Sequence, residues 1–325
     1  MTEEEHILYS VIIPVKEINA YVKENVEKIQ SENRMDVEII VLPNTQSPDI
    51  TGVKIIGTDK VAPGRKRDIG ASKARGEWLI FLDDDSYPEK QYFTKLDELI
   101  AYNNYSAYGG PGITPESNGF WQQVSGAVFI SRWSGGAPER YLSYPGIRLV
   151  DDWPSVNFVV NKKIFTEIGG FNTDYWPGED TVLCEKLKKL NYPILYSEEL
   201  IVWHHRRNGL LGHMKQVGNY GLHRGHFFRI NLSNSRKLRY FIPSVFVMTV
   251  TYGLIQLAYG LWNIYSSLIL LVYLAVLGLA IRDIVRIKNI KVALCSFPYI
   301  IFTHLSYGVM FAIGLTKINL KSRLR

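Results

Sequence analysis

The first 200 residues alternate short apolar runs with polar segments of helical period. The apolar runs read ILYSVIIPV, VEIIVLP, VKIIG and EWLIFLDDD, and turn-forming residues bound each of them. Between them lie a polar segment over residues 17–33 and the stretch PGRKRDIGASKARG, where Pro63 is placed to begin a helix and Gly76 to end it. This alternation predicts an α/β fold, with a mostly parallel sheet and helices on both faces.

Residues 105–160 show little periodicity and are rich in Gly, Pro, Ser and Trp, so we expect loops that face a substrate. A strand-like run, NFVVNKKIF, the helix start WPGEDTVLCEKLKKL and a last strand, EELIVWHH, follow. We therefore predict a soluble domain over residues 1–206, an amphipathic basic segment over 207–239 and a membrane domain over 240–325.

The last part of the chain is apolar over lengths that suit a membrane. Residues 240–281 carry no formal charge, and as helix they would extend about 63 Å, which is two crossings of a bilayer core about 30 Å thick. Interfacial residues in YGLWNIYSS predict a break there, which gives spans over 240–261 and 263–281. A third uncharged run, 292–316, is also long enough to span but is interrupted by Pro298 and His304, so it is either a third crossing or a re-entrant hairpin bent at Pro298, of which we favour the hairpin.

Charge divides the chain in the same region. The formal net charge is +6, yet residues 200–325 carry a single acid, Asp283, among many Lys and Arg, so the front of the chain is acidic. The N-terminal sequence has no signal-peptide pattern, and basic residues flank the predicted spans, which predicts a multi-pass protein of the cell membrane with its first domain in the cytoplasm. The basic tail TKINLKSRLR fits that orientation only if the third segment does not cross. We expect Cys184 and Cys295 to stay reduced, and no Cys/His spacing predicts a zinc site.

Three consecutive aspartates, Asp83, Asp84 and Asp85, end the fourth apolar run. Because side chains alternate along a strand, we expect Asp83 and Asp85 on one side and Asp84 on the other. Two carboxylates on one side suit Mg²⁺ or Mn²⁺, whose remaining ligands are often substrate phosphates. The alternative is a solvated acidic turn that helps to cap a helix beginning near Pro88.

A second acidic pair, Glu179 and Asp180, begins a predicted helix. The helix dipole favours acids in the first turn, so a structural role is one explanation. The other is catalytic, because the loop that carries Trp176 could hold an acceptor and a neighbouring carboxylate could remove its hydroxyl proton.

Basic and imidazole side chains close the soluble part of the chain. His204 and His205 end a strand and face opposite ways, so at most one of them is expected to enter a metal shell. Arg206 and Arg207 could neutralise phosphate, or could form a basic edge near a membrane surface. The earlier basic helix start, GRKRDIG, could likewise receive a diphosphate or be a solvated face.

In this order, IIPVKE, VLPN, GRKRDIGASKARGEWLIFLDDD, GGFNTDYWPGEDTVL and VWHHRR resemble the family 2 glycosyltransferases, which are inverting enzymes with the GT-A fold. The resemblance extends over roughly residues 8–206. It implies a nucleotide-sugar donor, such as a UDP- or GDP-sugar, whose diphosphate lies on Mg²⁺ or Mn²⁺ at the DXD motif.

The resemblance also implies roles by position. Asp180 would be the general base with Glu179 beside it, and the metal would lie on Asp85. Further metal ligands would be Asp83 and His204 or, less favoured, His205. The donor-binding residues would be Pro14, Val15, Glu17, Asn44, Arg67, Asp83 and Asp84. The residues near the acceptor or the diphosphate would be Trp176, Arg206, Arg207, Gln216 and Arg224.

Three residues depart from the family pattern. After the second strand, relatives read like VDDGSTD, whereas this chain reads VLPNTQSPD, so Pro43 and Asn44 replace acids that help to grip the base, and the nucleotide stays open. Asp68 stands where the family usually has asparagine.

The segment 207–239 resembles a pattern of membrane-bound relatives through Gln216 and Arg224, but its composition equally predicts a plain helix in the headgroup layer.

These features predict a membrane-bound inverting glycosyltransferase that transfers a hexose to a lipid-linked acceptor, such as a polyprenyl phosphate or a lipid-linked saccharide, and that has no nucleic-acid partner. A catalytically silent binding or scaffold subunit is one alternative, favoured by Pro43 and Asn44. A metal-dependent nucleotidyl or phosphotransferase is another, although the chain lacks a GxxxxGK[ST] phosphate loop. A transporter is disfavoured, because His304 is the one ionisable candidate for transport within the predicted spans.

Overall fold

The structure is a computed structural model that describes residues 6–316 and residue 320. The described chain divides into two compact units, one of residues 6–113 and 142–204, the other of residues 114–141 and 205–316. This division differs from the predicted boundaries because the segment 114–141 belongs to the second unit.

The first unit contains a mixed sheet, with eight strands among the described residues. Its strands are β1 (Tyr9–Pro14), β2 (Val37–Leu42), β3 (Val53–Ile55), β4 (Trp78–Leu82), β6 (Ala107–Gly109), β8 (Arg148–Val150), β9 (Asn157–Asn161) and β10 (Ile194–Tyr196). The order is β3-β2-β1-β4-β9-β6-β10-β8, in which β3, β2, β1 and β4 run parallel and β9 runs antiparallel to both of its neighbours. A smaller sheet joins β5 (Ser86–Pro88), β11 (Val202–His204) and β7 (Gly112–Ile113).

Helices cover both faces of the large sheet, as the alternation predicted. They are α1 (Ala20–Gln30), α2 (Pro63–Lys73), α3 (Tyr92–Tyr102), α5 (Lys162–Glu167) and α6 (Glu179–Lys189), while α4 (Phe120–Val128) belongs to the second unit. On β1, Val11 and Ile13 pack with α1 and α3, and Ile12 packs with α2 on the other face. Gly70 allows α2 to lie this close, because a Cβ there would stand 2.7 Å from Cγ2 of Ile12.

The expectation of loops over residues 105–160 is wrong in part. This stretch contains α4, β6, β7 and β8, and it leads into β9. The strands β6, β7 and β8 are two or three residues long, which is too short for an alternating pattern to show in the sequence.

The second unit consists of helices, which besides α4 are α7 (Leu210–Arg229), α8 (Ile242–Ala258), α9 (Ile264–Val285) and α10 (Ile290–Gly314). Within the described part of the chain, three helical segments are long and apolar enough to cross a membrane: Leu238–Ala258, Ile264–Val285 and Ile290–Gly314. The first two lie within a few residues of the predicted spans 240–261 and 263–281, and the third covers most of the apolar run 292–316.

The prediction of a hairpin bent at Pro298 is wrong, because α10 is one helix of 25 residues with Pro298 inside it. A proline removes one backbone donor, and a helix packed against neighbours tolerates that loss. The tail that motivated the hairpin lies mostly outside the described residues, since 317–319 and 321–325 are among those not described.

Glycines bring α7 against α10 within the second unit. A Cβ at Gly221 would stand 2.5 Å from the carbonyl oxygen of Tyr307, and one at Gly218 would stand 2.8 Å from Oγ of Ser306. Small residues permit this close approach of two helix backbones. One face of the predicted amphipathic segment is therefore buried against α10.

A buried histidine joins three helices of the same unit. Nδ1 of His213 on α7 lies 2.8 Å from Oγ of Ser125 on α4, and its Nε2 lies 2.7 Å from Oγ1 of Thr303 on α10. Burial lowers the pKa of His213 to about 4, so the ring is neutral at physiological pH. Both cysteines are free, as predicted.

Candidate active site

The candidate site lies at the carboxyl ends of β1 and β4. The strand order reverses between these two neighbours, and ligands of open α/β sheets bind at such a switch point. Pro14 is the last residue of β1, and Val15 and Glu17 follow it. Leu82 is the last residue of β4, and the three aspartates follow it.

Asp83, Asp85 and His204 form a cluster whose potential ligand atoms all lie within 4.8 Å of one another. Nε2 of His204 is 3.2 Å from Oδ1 of Asp85, and both side chains are nearly buried. The register of the small sheet explains why His204 lies beside Asp85, because β11 pairs antiparallel with β5 and places His204 opposite Ser86. Two carboxylates and an imidazole in this arrangement can hold a divalent cation.

Asp84 lies apart from this cluster, as expected, but for a different reason. The aspartates occupy the turn between β4 and β5 rather than a strand, and this turn is held by the Ser86 hydroxyl, which donates to the carbonyl oxygen of Asp83 at 2.9 Å. Oδ2 of Asp84 accepts a hydrogen bond of 3.4 Å from Asn19. The separation therefore comes from turn geometry and not from strand alternation.

His205 does not enter the cluster. It belongs to the second unit, where its Nδ1 meets the side-chain amide of Asn118. The expected divergence of the two histidines is present, and it leaves His204 as the histidine beside the aspartates.

Arg67 links Asp83, the first of the three consecutive aspartates, to the start of α6. Its Nη2 lies 2.5 Å from Oδ1 of Asp83, and its Nη1 lies 2.8 Å from Oε1 of Glu179. The arginine is 2% exposed, and its Nε has no hydrogen-bond partner among the described residues. A buried guanidinium thus holds two carboxylates that are far apart in sequence.

Glu179 and Asp180 have different environments. Burial raises the pKa of Glu179 to about 7, against the opposing effect of Arg67 and with a contribution from the charge on Asp180. Gly64 leaves space for the Glu179 side chain, because a Cβ at position 64 would stand 3.2 Å from Cβ of Glu179. Asp180 is only partly buried, and its Oδ1 accepts a hydrogen bond of 2.7 Å from the backbone of Thr181. Of the pair, Asp180 is the carboxylate nearer to solvent, and Trp176 in the preceding loop is exposed.

The turn before α6 is clamped from two sides. Asp68 accepts hydrogen bonds from the backbone nitrogens of Phe171 and Asn172 at 2.8 and 2.9 Å. Nζ of Lys186 donates to the carbonyl oxygens of Gly170 and Phe171. A carboxylate with two acceptor oxygens can receive both N–H groups, which accounts for an aspartate at this position.

Lys66 is a site residue to which the sequence analysis gave no separate role. It is 3% exposed, and its Nζ donates to the carbonyl oxygens of Val15 and Leu42 and to Oδ1 of Asn44. An ammonium group only donates, so the oxygen of the Asn44 amide faces Lys66 and the amide NH₂ is turned away. Burial lowers the pKa of Lys66 to about 8. The one sequence signal is its place in the first turn of α2, at the carboxyl edge of the sheet.

The remaining predicted residues are Glu17 in the first unit and four residues of the second unit. Glu17 is exposed and pairs with Lys16 at 3.2 Å. Arg206 and Arg207 belong to the second unit, where Arg206 is buried and Arg207 exposed. Gln216 and Arg224 lie on α7, and Arg224 donates to Oγ of Ser235 at 3.1 Å.

Residues 10–169 match the family model described as glycosyl transferase family 2. The chain carries a family 2 glycosyltransferase domain. Its mixed α/β core is of the GT-A type, as the resemblance implied.

The proteins similar to this chain include the following two. The first is the uncharacterized glycosyltransferase EpsJ of Bacillus subtilis (strain 168), 25% identical over 114 residues, which are 31% of this chain and 33% of that protein. The match thus spans about a third of the relative's length. The second is the solved structure of the mannosyltransferase PcManGT from Pyrobaculum calidifontis in complex with GDP-Man and Mn²⁺, which is similar in fold with a TM-score of 0.62 and 12% identity, over 96% of this chain and 88% of that one.

Proposed function

We propose that this protein is a membrane-bound, metal-dependent, inverting glycosyltransferase that moves a hexose from a nucleotide-sugar donor to a lipid-linked acceptor. The observation that carries the proposal is the cluster of Asp83, Asp85 and His204 at the switch point of a family 2 domain. Arg67 supports it, because the guanidinium holds Asp83 in place beside the start of α6.

The ligand set of this cluster fits a divalent cation. Asp85 and His204 are nearly buried, and the two carboxylates and the imidazole each offer one ligand atom. An imidazole is a ligand of transition metals more than of Mg²⁺, so we propose Mn²⁺ as the better match. The similar mannosyltransferase was solved with Mn²⁺ and GDP-Man, which supports the same choice and makes a GDP-sugar the first donor to test. When bound, the cation would neutralise the diphosphate of the donor.

The chain's own residues divide the remaining work. The ends of β1 and β2, joined by Lys66 and Asn44, would bind the nucleoside. In a single displacement, the acceptor oxygen bonds to the anomeric carbon as the bond from that carbon to the diphosphate oxygen breaks, and Asp180 takes the acceptor's proton. Glu179 stays with Arg67 and positions it. Attack opposite the leaving group inverts the anomeric configuration.

The helices of the second unit support a lipid-linked acceptor. Three of them are long and apolar enough to cross a membrane, and an acceptor anchored in the bilayer would explain why a transferase carries them. We propose a multi-pass arrangement with the family 2 domain on the cytoplasmic side, since basic residues flank the helices.

Metal binding and donor cleavage test the proposal together. The full chain in a neutral detergent is titrated with Mn²⁺, and release of nucleoside diphosphate is then measured from GDP- and UDP-sugars with mixed polyprenyl phosphates. Asp85→Asn should lose Mn²⁺ affinity and product release by at least about tenfold. Asp84→Asn is the matched control and should keep Mn²⁺ binding. A wild-type chain that releases no nucleoside diphosphate with any donor, with or without Mn²⁺, would contradict the proposal.

Asp180→Asn tests the general base. With a lipid-linked sugar as acceptor, the attacking hydroxyl needs a base, and we expect transfer to fall by roughly 10²–10⁴-fold. With a polyprenyl phosphate as acceptor, the nucleophile is already ionised, so the same variant should lose much less. Full activity of Asp180→Asn toward both acceptors would remove Asp180 from the mechanism.

A further inference from the structure

The apolar helices of the second unit differ in how far protein covers them. Ten of the 25 residues of α10 are buried, compared with one in α8 and four in α9. The buried positions of α10 recur every three or four residues, as at Ser296, Ile300 and His304. The opposite side of the helix is apolar and exposed, as at Leu294 and Ile313. One side of α10 therefore packs on protein, and the other faces outward.

The helix α7 lies along the second half of α10. Nε2 of His213 is 2.7 Å from Oγ1 of Thr303, which stands next to the midpoint of α10. Further along both helices, a Cβ at Gly225 would stand 3.1 Å from Cα of Gly314, the last residue of α10. These two contacts place α7 beside α10 from its middle to its end.

Two cations lie where α7 meets the middle of α10. Lys215 follows shortly after His213 and is exposed. Arg207 is also exposed, and its Cβ would lie 3.6 Å from a Cβ at Gly212, the residue before His213. If α10 crossed a bilayer, both cations would stand near the centre of the hydrocarbon, about 15 Å from either surface, where a charge is costly. Their exposure at this level argues against a crossing by α10.

The rest of α10 is too short to cross alone. With the part beside α7 outside the hydrocarbon, residues 290–302 remain, and as helix they extend about 20 Å, compared with about 30 Å for a bilayer core. The segments Leu238–Ala258 and Ile264–Val285 extend about 32 and about 33 Å, so each is long enough to cross. Residues 240–281 also carry no formal charge.

The first half of α10 has the neighbours of an interfacial helix as well. Lys291 in its first turn is exposed. Trp121 of α4 is 49% exposed and stacks on Tyr299, with ring centres 6.3 Å apart and planes 9° apart. Tryptophan and lysine both suit the boundary between headgroups and acyl chains. Side chains that suit a membrane surface thus accompany α10 near its beginning and at its middle.

We propose that α10 lies flat in the headgroup layer of the membrane, and that α8 and α9 are the two crossings. The partner of its apolar side is then the upper acyl-chain region of a phospholipid leaflet, while α4 and α7 cover the other side. The inference rests on the membrane placement in the proposed function and refines it. Two crossings return the chain to the side of the family 2 domain, so the basic tail 316–325 stays there, as the positive-inside rule favours.

Labelling of single cysteines in sealed, inverted membrane vesicles tests the sidedness. The full chain carries Cys184→Ala and Cys295→Ala together with one of Met35→Cys, Tyr259→Cys or Thr316→Cys. These three positions are exposed, and they lie in the first unit, between α8 and α9, and after α10. A maleimide that cannot cross the membrane should label Met35→Cys and Thr316→Cys in intact vesicles, and Tyr259→Cys only after detergent is added.

The three positions separate this inference from the proposed function. A Thr316→Cys chain that is protected together with Tyr259→Cys would show that α10 crosses, which overturns the inference alone. A Tyr259→Cys chain that is labelled in intact vesicles would show that α8 and α9 do not cross, which contradicts the membrane placement as well. Thermal unfolding of each variant in detergent, compared with the wild-type chain, identifies the variants that are folded.

Spin labels measure the depth of α10 directly. Nitroxides at Leu294→Cys, Phe302→Cys and Ile313→Cys lie at its exposed positions, and one at Leu274→Cys lies near the middle of α9. Depth is read from relaxation by oxygen, which dissolves in acyl chains, and by a nickel chelate, which stays in water. The three α10 labels should share a similar depth of about 5–10 Å into the interface, and the α9 label should lie deeper. A Phe302→Cys label as deep as Leu274→Cys, between two shallower labels, would refute the flat placement.

Discussion

Replacement of Arg67 by methionine should destabilise the first unit, because two carboxylates lose their positively charged partner. The variant keeps most of the side-chain volume but leaves Asp83 and Glu179 without the guanidinium that lies 2.5 and 2.8 Å from them. Removing one partner of a buried ion pair costs about 3–5 kcal/mol, because an uncompensated charge remains buried. For a unit of this size, about 1 kcal/mol lowers the thermal midpoint by roughly 2–4 °C, so we expect a fall on the order of 10 °C.

The penalty of Arg67→Met should depend on pH in a defined direction. The pKa of Glu179 in the folded protein is about 7, above its ordinary value of 4.5, so its folded form favours the proton. The stability that this protonation contributes is present below about 4.5 and is lost as pH rises through about 7. Without Arg67 the pKa of Glu179 rises further, so the variant should be destabilised most near pH 8 and least near pH 5.5.

The assay is thermal unfolding of the full chain in detergent with EDTA, which removes any contribution from metal. A second replacement, Glu179→Gln, removes the buried charge, and the double variant should recover much of the loss near pH 8. Arg75→Met is the matched control, because Arg75 is exposed and its pairing with Glu38 at 3.4 Å contributes little. An Arg67→Met variant that unfolds like Arg75→Met, or that gains nothing from Glu179→Gln, would refute the reasoning.

Two further predictions concern the second unit. His213→Phe should lower its thermal midpoint by several degrees, because two buried hydroxyls lose a partner at a cost of about 1–3 kcal/mol each. The pKa of His213 falls from 6.5 to about 4 on folding, so wild-type stability should decline as pH falls through this range, and this contribution should be missing in the variant. Gly221→Ala should also lower the midpoint, since its Cβ would stand 2.5 Å from the carbonyl oxygen of Tyr307, whereas Gly212→Ala has its nearest neighbour at 3.6 Å and should be neutral or stabilising. Equal effects of the two glycine variants would contradict the close packing of α7 on α10.

The longer strands of the large sheet and the helices that cover it were predictable from the sequence, because their side chains follow simple periods. Val11 and Ile13 on one face of β1, and Ile12 on the other, are consecutive apolar residues of a strand that is buried on both sides. The short strands β6, β7 and β8 gave no such pattern. Their pairing depends on neighbours that are distant in the chain, as β8 pairs with β10 through Val150 and Ile194.

The part of the site that escaped prediction is held together by tertiary contacts. Arg67 and Glu179 were both predicted as site residues from the resemblance, but they are separated by more than a hundred residues and nothing in the sequence indicated that they form an ion pair. The donation from Lys66 to Asn44 has no local signal either, because it needs the carboxyl ends of β1 and β2 beside the start of α2. Residue type predicted that these groups could do chemistry, but only the fold determines which of them meet.

The three consecutive aspartates show how the sequence and the structure each contribute to the prediction of a metal site. In sequence, three adjacent carboxylates only repel one another, and a solvated turn explains them as well as a metal site does. In the structure each has its own neighbour: Arg67 pairs with Asp83, Asn19 donates to Asp84, and His204 lies 3.2 Å from Asp85. Asp85 is 7% exposed, which a solvated turn would not require. Burial of a carboxylate is costly unless a positive partner compensates it. The grouping of this buried carboxylate with Asp83 and His204, whose potential ligand atoms all lie within 4.8 Å of one another, is therefore the structural reason to expect a cation at this end of the sheet.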